Sequence, residues 1–237
     1  MYSITSYYFI DKKLPNTLLF LHGWGCNYQY MLPIAQQISN ANSLVIDLPG
    51  FGKNDVLQSP LSLNEFANII IQFLKEKNFN ISLIIGHSFG GKLSILLANQ
   101  LNIKSLVLLS PSIYNSRRTI FYYLKIFIYK LIKKIKILNF LIPFFGSKDY
   151  KSLTPVMKKT MINVINEDIT IQLKNLNIPI LVIFGKKDKI TPTYLGKKIV
   201  KNAKDASLIL VEGNHFAYLY NVNIISMIIE SMVKSSC

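Results

Sequence analysis

The stretch Leu83-Ile84-Ile85-Gly86-His87-Ser88-Phe89-Gly90-Gly91 constrains this chain more than any other. An apolar, β-branched run enters Gly-x-Ser-x-Gly, and residues 92–100 continue with helical character. That order reads as a strand, a sharp turn and a helix. A serine on such a turn is held in a strained conformation, with its hydroxyl lifted clear of the sheet edge. Glycines at 86 and 90 suit it, because side chains there would collide with the flanking strand and helix. The helix that follows aims its free N–H groups at the place where a carbonyl oxygen would gain negative charge.

A serine hydroxyl becomes a nucleophile only when a base takes its proton and a third group orients that base. The chain has three histidines, so the search is short. His22 and His87 lie in glycine-flanked turns, whereas His215 follows the apolar run 208–211 in Glu212-Gly213-Asn214-His215-Phe216. That placement makes His215 the base. The preceding apolar run, 180–184, leads into Gly185-Lys186-Lys187-Asp188, which supplies Asp188 as the orienting carboxylate, with Glu212 as the substitute acid. Nucleophile, acid and base then follow one another in the order Ser88, Asp188, His215.

The surrounding pattern predicts a parallel sheet covered on both faces. Short, predominantly apolar runs at 17–21, 43–46, 106–109, 180–184 and 208–211 are separated by amphipathic segments at 28–38, 63–77, 194–201 and 222–234. Residues 2–9 read as an edge strand. The alternation stops between residues 111 and 167. There, residues 119–140 read as a basic, aromatic helix whose lysines break every apolar run before it could span a bilayer. Two units follow: a core of residues 1–110 and 168–237, and a helical lid of residues 111–167 inserted before the acid-bearing strand.

The 27 basic and 12 acidic residues give a net charge of +15, which could serve an acidic partner or an anionic membrane. Lysine is plentiful throughout and only Arg117 and Arg118 are arginines, a pattern of general lysine enrichment rather than of a nucleic-acid site. Cys26 and Cys237 cannot form a disulfide framework. No leader or membrane span is expected, and the reducing cytoplasm is the expected location.

Taken together, His22-Gly23-Trp24-Gly25, Asp47-Leu48-Pro49-Gly50-Phe51-Gly52, the Ser88 turn, the Asp188 loop and Gly213-Asn214-His215 resemble the α/β-hydrolase-fold serine hydrolases over nearly the whole chain. The resemblance implies a mostly parallel sheet of about seven strands, one fewer than usual because the opening hairpin is short. It also implies an oxyanion hole from the Trp24 and Phe89 backbone N–H groups, and no metal or organic cofactor. His22 and the lid aromatics Tyr122 and Phe127 are expected beside the substrate, with His22 also able to hold the Trp24 loop. Within the superfamily the chain is similar to small carboxylesterases, including pimeloyl-carrier-protein methyl ester esterases, and to carbon–carbon bond hydrolases of ring-cleavage pathways. Expected activities are therefore cleavage of a carboxylic ester, with a small-molecule or acyl-carrier substrate, and an acidic acyl carrier protein as a partner. Thioester cleavage, carbon–carbon cleavage and a non-catalytic ligand- or membrane-binding role stand as alternatives.

Overall fold

The computed structural model describes residues 2–114 and 152–235. The predicted basic helix at 119–140, with Tyr122 and Phe127, lies outside the described residues. Seven strands form one sheet: β1 (Tyr7–Ile10), β2 (Thr17–Leu21), β3 (Asn42–Ile46), β4 (Ile81–His87), β5 (Ser105–Leu109), β6 (Ile180–Gly185) and β7 (Ala206–Val211). Their spatial order is β1-β3-β2-β4-β5-β6-β7. Among the described residues only the edge strand β1 runs antiparallel, with Tyr7 opposite Ile46.

The inner strands read as unbroken apolar runs because both faces are covered. Every residue of β2, β3 and β5 is buried. Alternate side chains feed two separate cores. Leu19, Leu21, Leu44 and Leu108 pack with α2 (Leu63–Glu76), α3 (Phe89–Ala98) and a helix over Thr193–Asn202. Leu18, Phe20, Val45 and Leu109 pack on the other face with α1 (Leu32–Gln37) and the terminal helix Val222–Ser235.

Helix α2 starts on a capping box: the Ser62 hydroxyl accepts from the Glu65 N–H, and the Glu65 carboxylate accepts from the Ser62 N–H. The predicted helix at 28–38 is instead a short 3₁₀ turn, Tyr28–Tyr30, followed by α1. Asn27 caps the first piece and Pro33 opens the second. Beyond the undescribed segment the chain returns as α4 (Pro155–Asn166) and α5 (Thr170–Asn175), so in chain order Thr193–Asn202 is α6, Ala217–Tyr220 is α7 and the terminal helix is α8. Helix α4 docks where the Thr160 hydroxyl accepts from the Leu61 N–H at 3.1 Å. None of the described helices is long and apolar enough to cross a membrane.

Strand order turns back at the sheet centre: from β2 the chain moves to β3 on one side, and from β4 it moves to β5 on the other. Loops leaving the carboxyl ends of β2 and β4 therefore diverge and open a crevice between them. Leu21 lies in register with Gly86, which sets residues 22–24 beside residues 87–89. At the other flank Gly185 is in register with Val211, so the loops carrying Asp188 and His215 leave the sheet side by side.

Candidate active site

Ser88 stands between β4 and α3 with φ +50° and ψ −110°. A non-glycine residue in this region carries strain of about 1–3 kcal/mol, which the surroundings must offset. They do so through its backbone: the Ser88 N–H donates to Leu109 O at 2.9 Å, and its carbonyl accepts from Lys92 and Ser112 N–H. The two glycines are required by close approach. A Cβ at 86 would sit 2.5 Å from Gly90 O, and one at 90 would sit 2.5 Å from Leu21 O. Phe89 opens α3, so its N–H has no acceptor within the helix. The Trp24 ring meets the Phe89 ring edge-to-face at 5.5 Å and Phe51 at 4.9 Å, which ties the two predicted oxyanion residues together.

Asp188 and His215 meet directly. His215 Nδ1–H donates to Asp188 Oδ2 at 2.9 Å, and both residues are buried. Asp188 Oδ1 accepts the N–H groups of Ile190 and Thr191, each at 2.9 Å, while Oδ2 also lies 2.9 Å from the Thr191 hydroxyl. Burial alone would raise this carboxyl. The hydrogen bond and charge of His215, together with the Thr191 contacts, outweigh burial and hold it below the ordinary range. With its proton on Nδ1, His215 keeps an Nε2 lone pair available as a base. Thr191, which also reaches Ser110 O at 3.2 Å, was not anticipated from the sequence. Its signal is local: Asp188-Lys189-Ile190-Thr191 is the spacing at which an aspartate caps its own turn.

Glu212, the substitute acid, points into solvent and pairs with Lys186 at 2.5 Å. Its carboxyl is held below the ordinary range by that contact. It makes no bond to His215.

His22 has no exposed surface. Its Nε2 accepts from the Leu48 N–H at 2.9 Å, which requires the proton on Nδ1, and Nδ1–H donates to Gly23 O at 2.7 Å. Both nitrogens are thus committed to backbone groups, at Gly23 and at Leu48. Burial pushes its imidazole down to about 4, against the opposing pull of Gly23 O and of Asp47 at 3.9 Å. Asp47 is likewise buried, accepting from the Ser6 hydroxyl at 2.5 Å, the Tyr28 N–H at 2.6 Å and the Lys53 N–H at 3.1 Å. It knots three segments behind the crevice. Cys26 is a buried free thiol, and burial pushes it up to about 11.

Known proteins share this frame. A family model described as the alpha/beta hydrolase fold matches residues 16–127. The pimeloyl-(acyl-carrier protein) methyl ester esterase of Pseudoalteromonas atlantica is 36% identical over 102 residues, a match covering 41% of this chain and 38% of that protein. The chain therefore spans well under half of that relative. The protein of the same name from Wigglesworthia glossinidia brevipalpis is 28% identical over 254 residues, covering 92% of this chain and 93% of its own. Among solved structures, an esterase from Exiguobacterium antarcticum superposes with a TM-score of 0.75 at 17% identity, over 98% of each chain. With the central strand β4 leading into the serine turn and the mutually adjacent β6 and β7 leading into Asp188 and His215, the chain is a protein of the α/β-hydrolase fold.

Proposed function

We propose that this protein is a serine hydrolase that cleaves carboxylic esters through an acyl-enzyme. The observation that carries this reading is the 2.9 Å Asp188–His215 bond at the ends of adjacent strands, beside a strained serine turn on the central strand. His215 Nε2 takes the Ser88 proton as Oγ attacks the ester carbonyl, and Asp188 steadies the imidazolium. The N–H groups of Trp24 and Phe89 hold the oxyanion. The tetrahedral intermediate expels the alcohol, which takes the proton from His215 and leaves an acyl-Ser88 ester. A water molecule then gives its proton to His215, attacks that ester, and releases the acid and a free Ser88 hydroxyl. The scheme calls on no metal or organic cofactor.

Two relatives named pimeloyl-(acyl-carrier protein) methyl ester esterase and the net charge of +15 favour a narrower substrate, an ester carried on an acidic acyl carrier protein. In this reading the basic residues between 117 and 136 supply the charge that draws the carrier. Low cysteine usage suits a cytoplasmic enzyme. The test is a panel of p-nitrophenyl esters of graded chain length, run with wild type and Ser88→Ala, alongside fluorophosphonate labelling. Wild type should hydrolyse and be labelled at residue 88, and the alanine variant should do neither while keeping its fold. An alanine variant that retained most activity would overturn the mechanism.

A further inference from the structure

We propose that His87 is a positioning residue for His215: it grips the backbone carbonyl of the base from the residue that precedes the nucleophile. The inference rests on the serine-hydrolase reading above and adds a residue to it. His87 is the last residue of β4 and is buried. Its Nε2 lies 3.1 Å from the carbonyl oxygen of His215, a contact across 128 residues of chain. A carbonyl can only accept, so Nε2 carries the proton and donates. Nδ1 is then left with a lone pair, and that atom is buried without a hydrogen-bond partner among the described residues.

The ring packs between two loops of the crevice. It meets the rings of His215 at 4.8 Å, Phe216 at 5.1 Å and Tyr218 at 4.7 Å. On the opposite side Nδ1 faces the loop after β2, where a Cβ at Gly23 would come within 2.8 Å of it. That contact explains the glycine beside Trp24.

An apolar side chain would fill this volume without burying an unpartnered nitrogen, which costs free energy. What histidine offers in exchange is the single donor aimed at His215. The base is then held twice, at Nδ1 by Asp188 and at its backbone by His87, which fixes where the Nε2 lone pair points. Gly213 two residues earlier, with φ +126°, leaves the base loop little stiffness of its own. Burial and the neighbouring charge of His215 push the His87 imidazole down to about 3, although the His215 carbonyl and Asp188 pull the other way. The strap thus donates while staying neutral, and places no second cation beside the imidazolium that forms at His215.

Glutamine and methionine have similar length and volume, and only glutamine can donate, so His87→Gln and His87→Met isolate the bond. The methionine variant should lose roughly ten- to a hundredfold in kcat, the cost of a misplaced catalytic group. Its KM should stay within about twofold, and the glutamine variant should recover most of the loss. In wild type, nitrogen-15 NMR should show His87 as the neutral Nε2–H tautomer between about pH 5 and 8. Equal kcat in the two variants, a methionine variant with wild-type kcat, or an Nδ1–H tautomer at His87 would each overturn the proposal. Wild-type labelling by a fluorophosphonate separates the two readings. Its absence removes the serine-hydrolase assignment, while the tautomer still reports on the His87–His215 bond.

Discussion

Lys92 Nζ donates to the backbone carbonyl of Val164 at 2.7 Å, from inside the helix that begins at the serine turn. It also reaches Glu167 O at 2.6 Å. These acceptors lie at the carboxyl end of α4, where carbonyls lack intrahelical partners and a cation complements the helix dipole. The buried ammonium therefore fastens the segment returning from the insertion onto the elbow helix. Burial pushes the amine down to about 8, while Glu167 and Asp168 act the other way.

Replacing Lys92 with methionine removes both bonds and strands two carbonyls, and it also removes the desolvation of the charge. The lost bonds should win, because the acceptors have no replacement donor. We expect Lys92→Met to be destabilised by about 1–3 kcal/mol, read from the denaturant midpoint. A variant as stable as wild type would mean that desolvation cancels the bonds.

His22 sets a second expectation, on stability against pH. Its folded pKa of about 4 lies below the ordinary value of 6.5. Above 6.5 both folded and unfolded chains keep the imidazole neutral. As pH falls from 6.5 towards 4, the unfolded chain binds a proton that the folded chain refuses, so stability falls across that window. Thermal midpoints should drop accordingly. His22→Gln, although less stable at neutral pH, should show a shallower decline. Parallel curves for the two proteins would show that His22 takes no part in the decline.

Legibility in the sequence followed the range of each interaction. The inner strands were readable because burial on both faces makes them apolar throughout, whereas β7, at the sheet edge and mostly part-exposed, was readable only from its local run of apolar residues. Asp47 precedes a Pro-Gly turn, where an aspartate caps locally, yet its carboxylate accepts from Ser6 and Tyr28, 41 and 19 residues away. No local pattern announces partners at that distance. Lys92 would read as a solvated helix residue, and the bond of His87 to His215 joins loops that only the sheet brings together. One signal was present in the sequence. Lys92 is the lone charged residue of α3, whose every residue is buried, and a charge in so apolar a helix needs partners.

The choice of acid is tested by a pair of substitutions. Asp188→Asn should lower kcat on the order of a thousandfold or more, because the amide cannot hold His215 with its proton on Nδ1. Glu212→Gln should change kcat little, since its exposed contact with Lys186 is worth little in water. Comparable losses in both variants would show that the Asp188 bond is not the one that orients the base.

The last expectation concerns the carrier substrate and is decided by salt. Arg117, Arg118, Lys125, Lys130, Lys133, Lys134 and Lys136 fall in one short segment. Lys186, Lys187 and Lys189 are exposed in the Asp188 loop. An acidic carrier protein would be drawn to such charge, and a rate limited by that encounter is screened as ions are added. For an acyl-carrier-protein methyl ester, kcat/KM should fall steeply once the screening length shrinks to about 10 Å near 0.1 M salt. A small neutral ester should lose almost nothing over the same range. Neutralising Lys130, Lys133 and Lys134 together should reproduce the effect of high salt for the carrier substrate alone. Superimposable salt curves for the two substrates would return the lysines to the role of a solvated surface and leave a hydrolase of small esters.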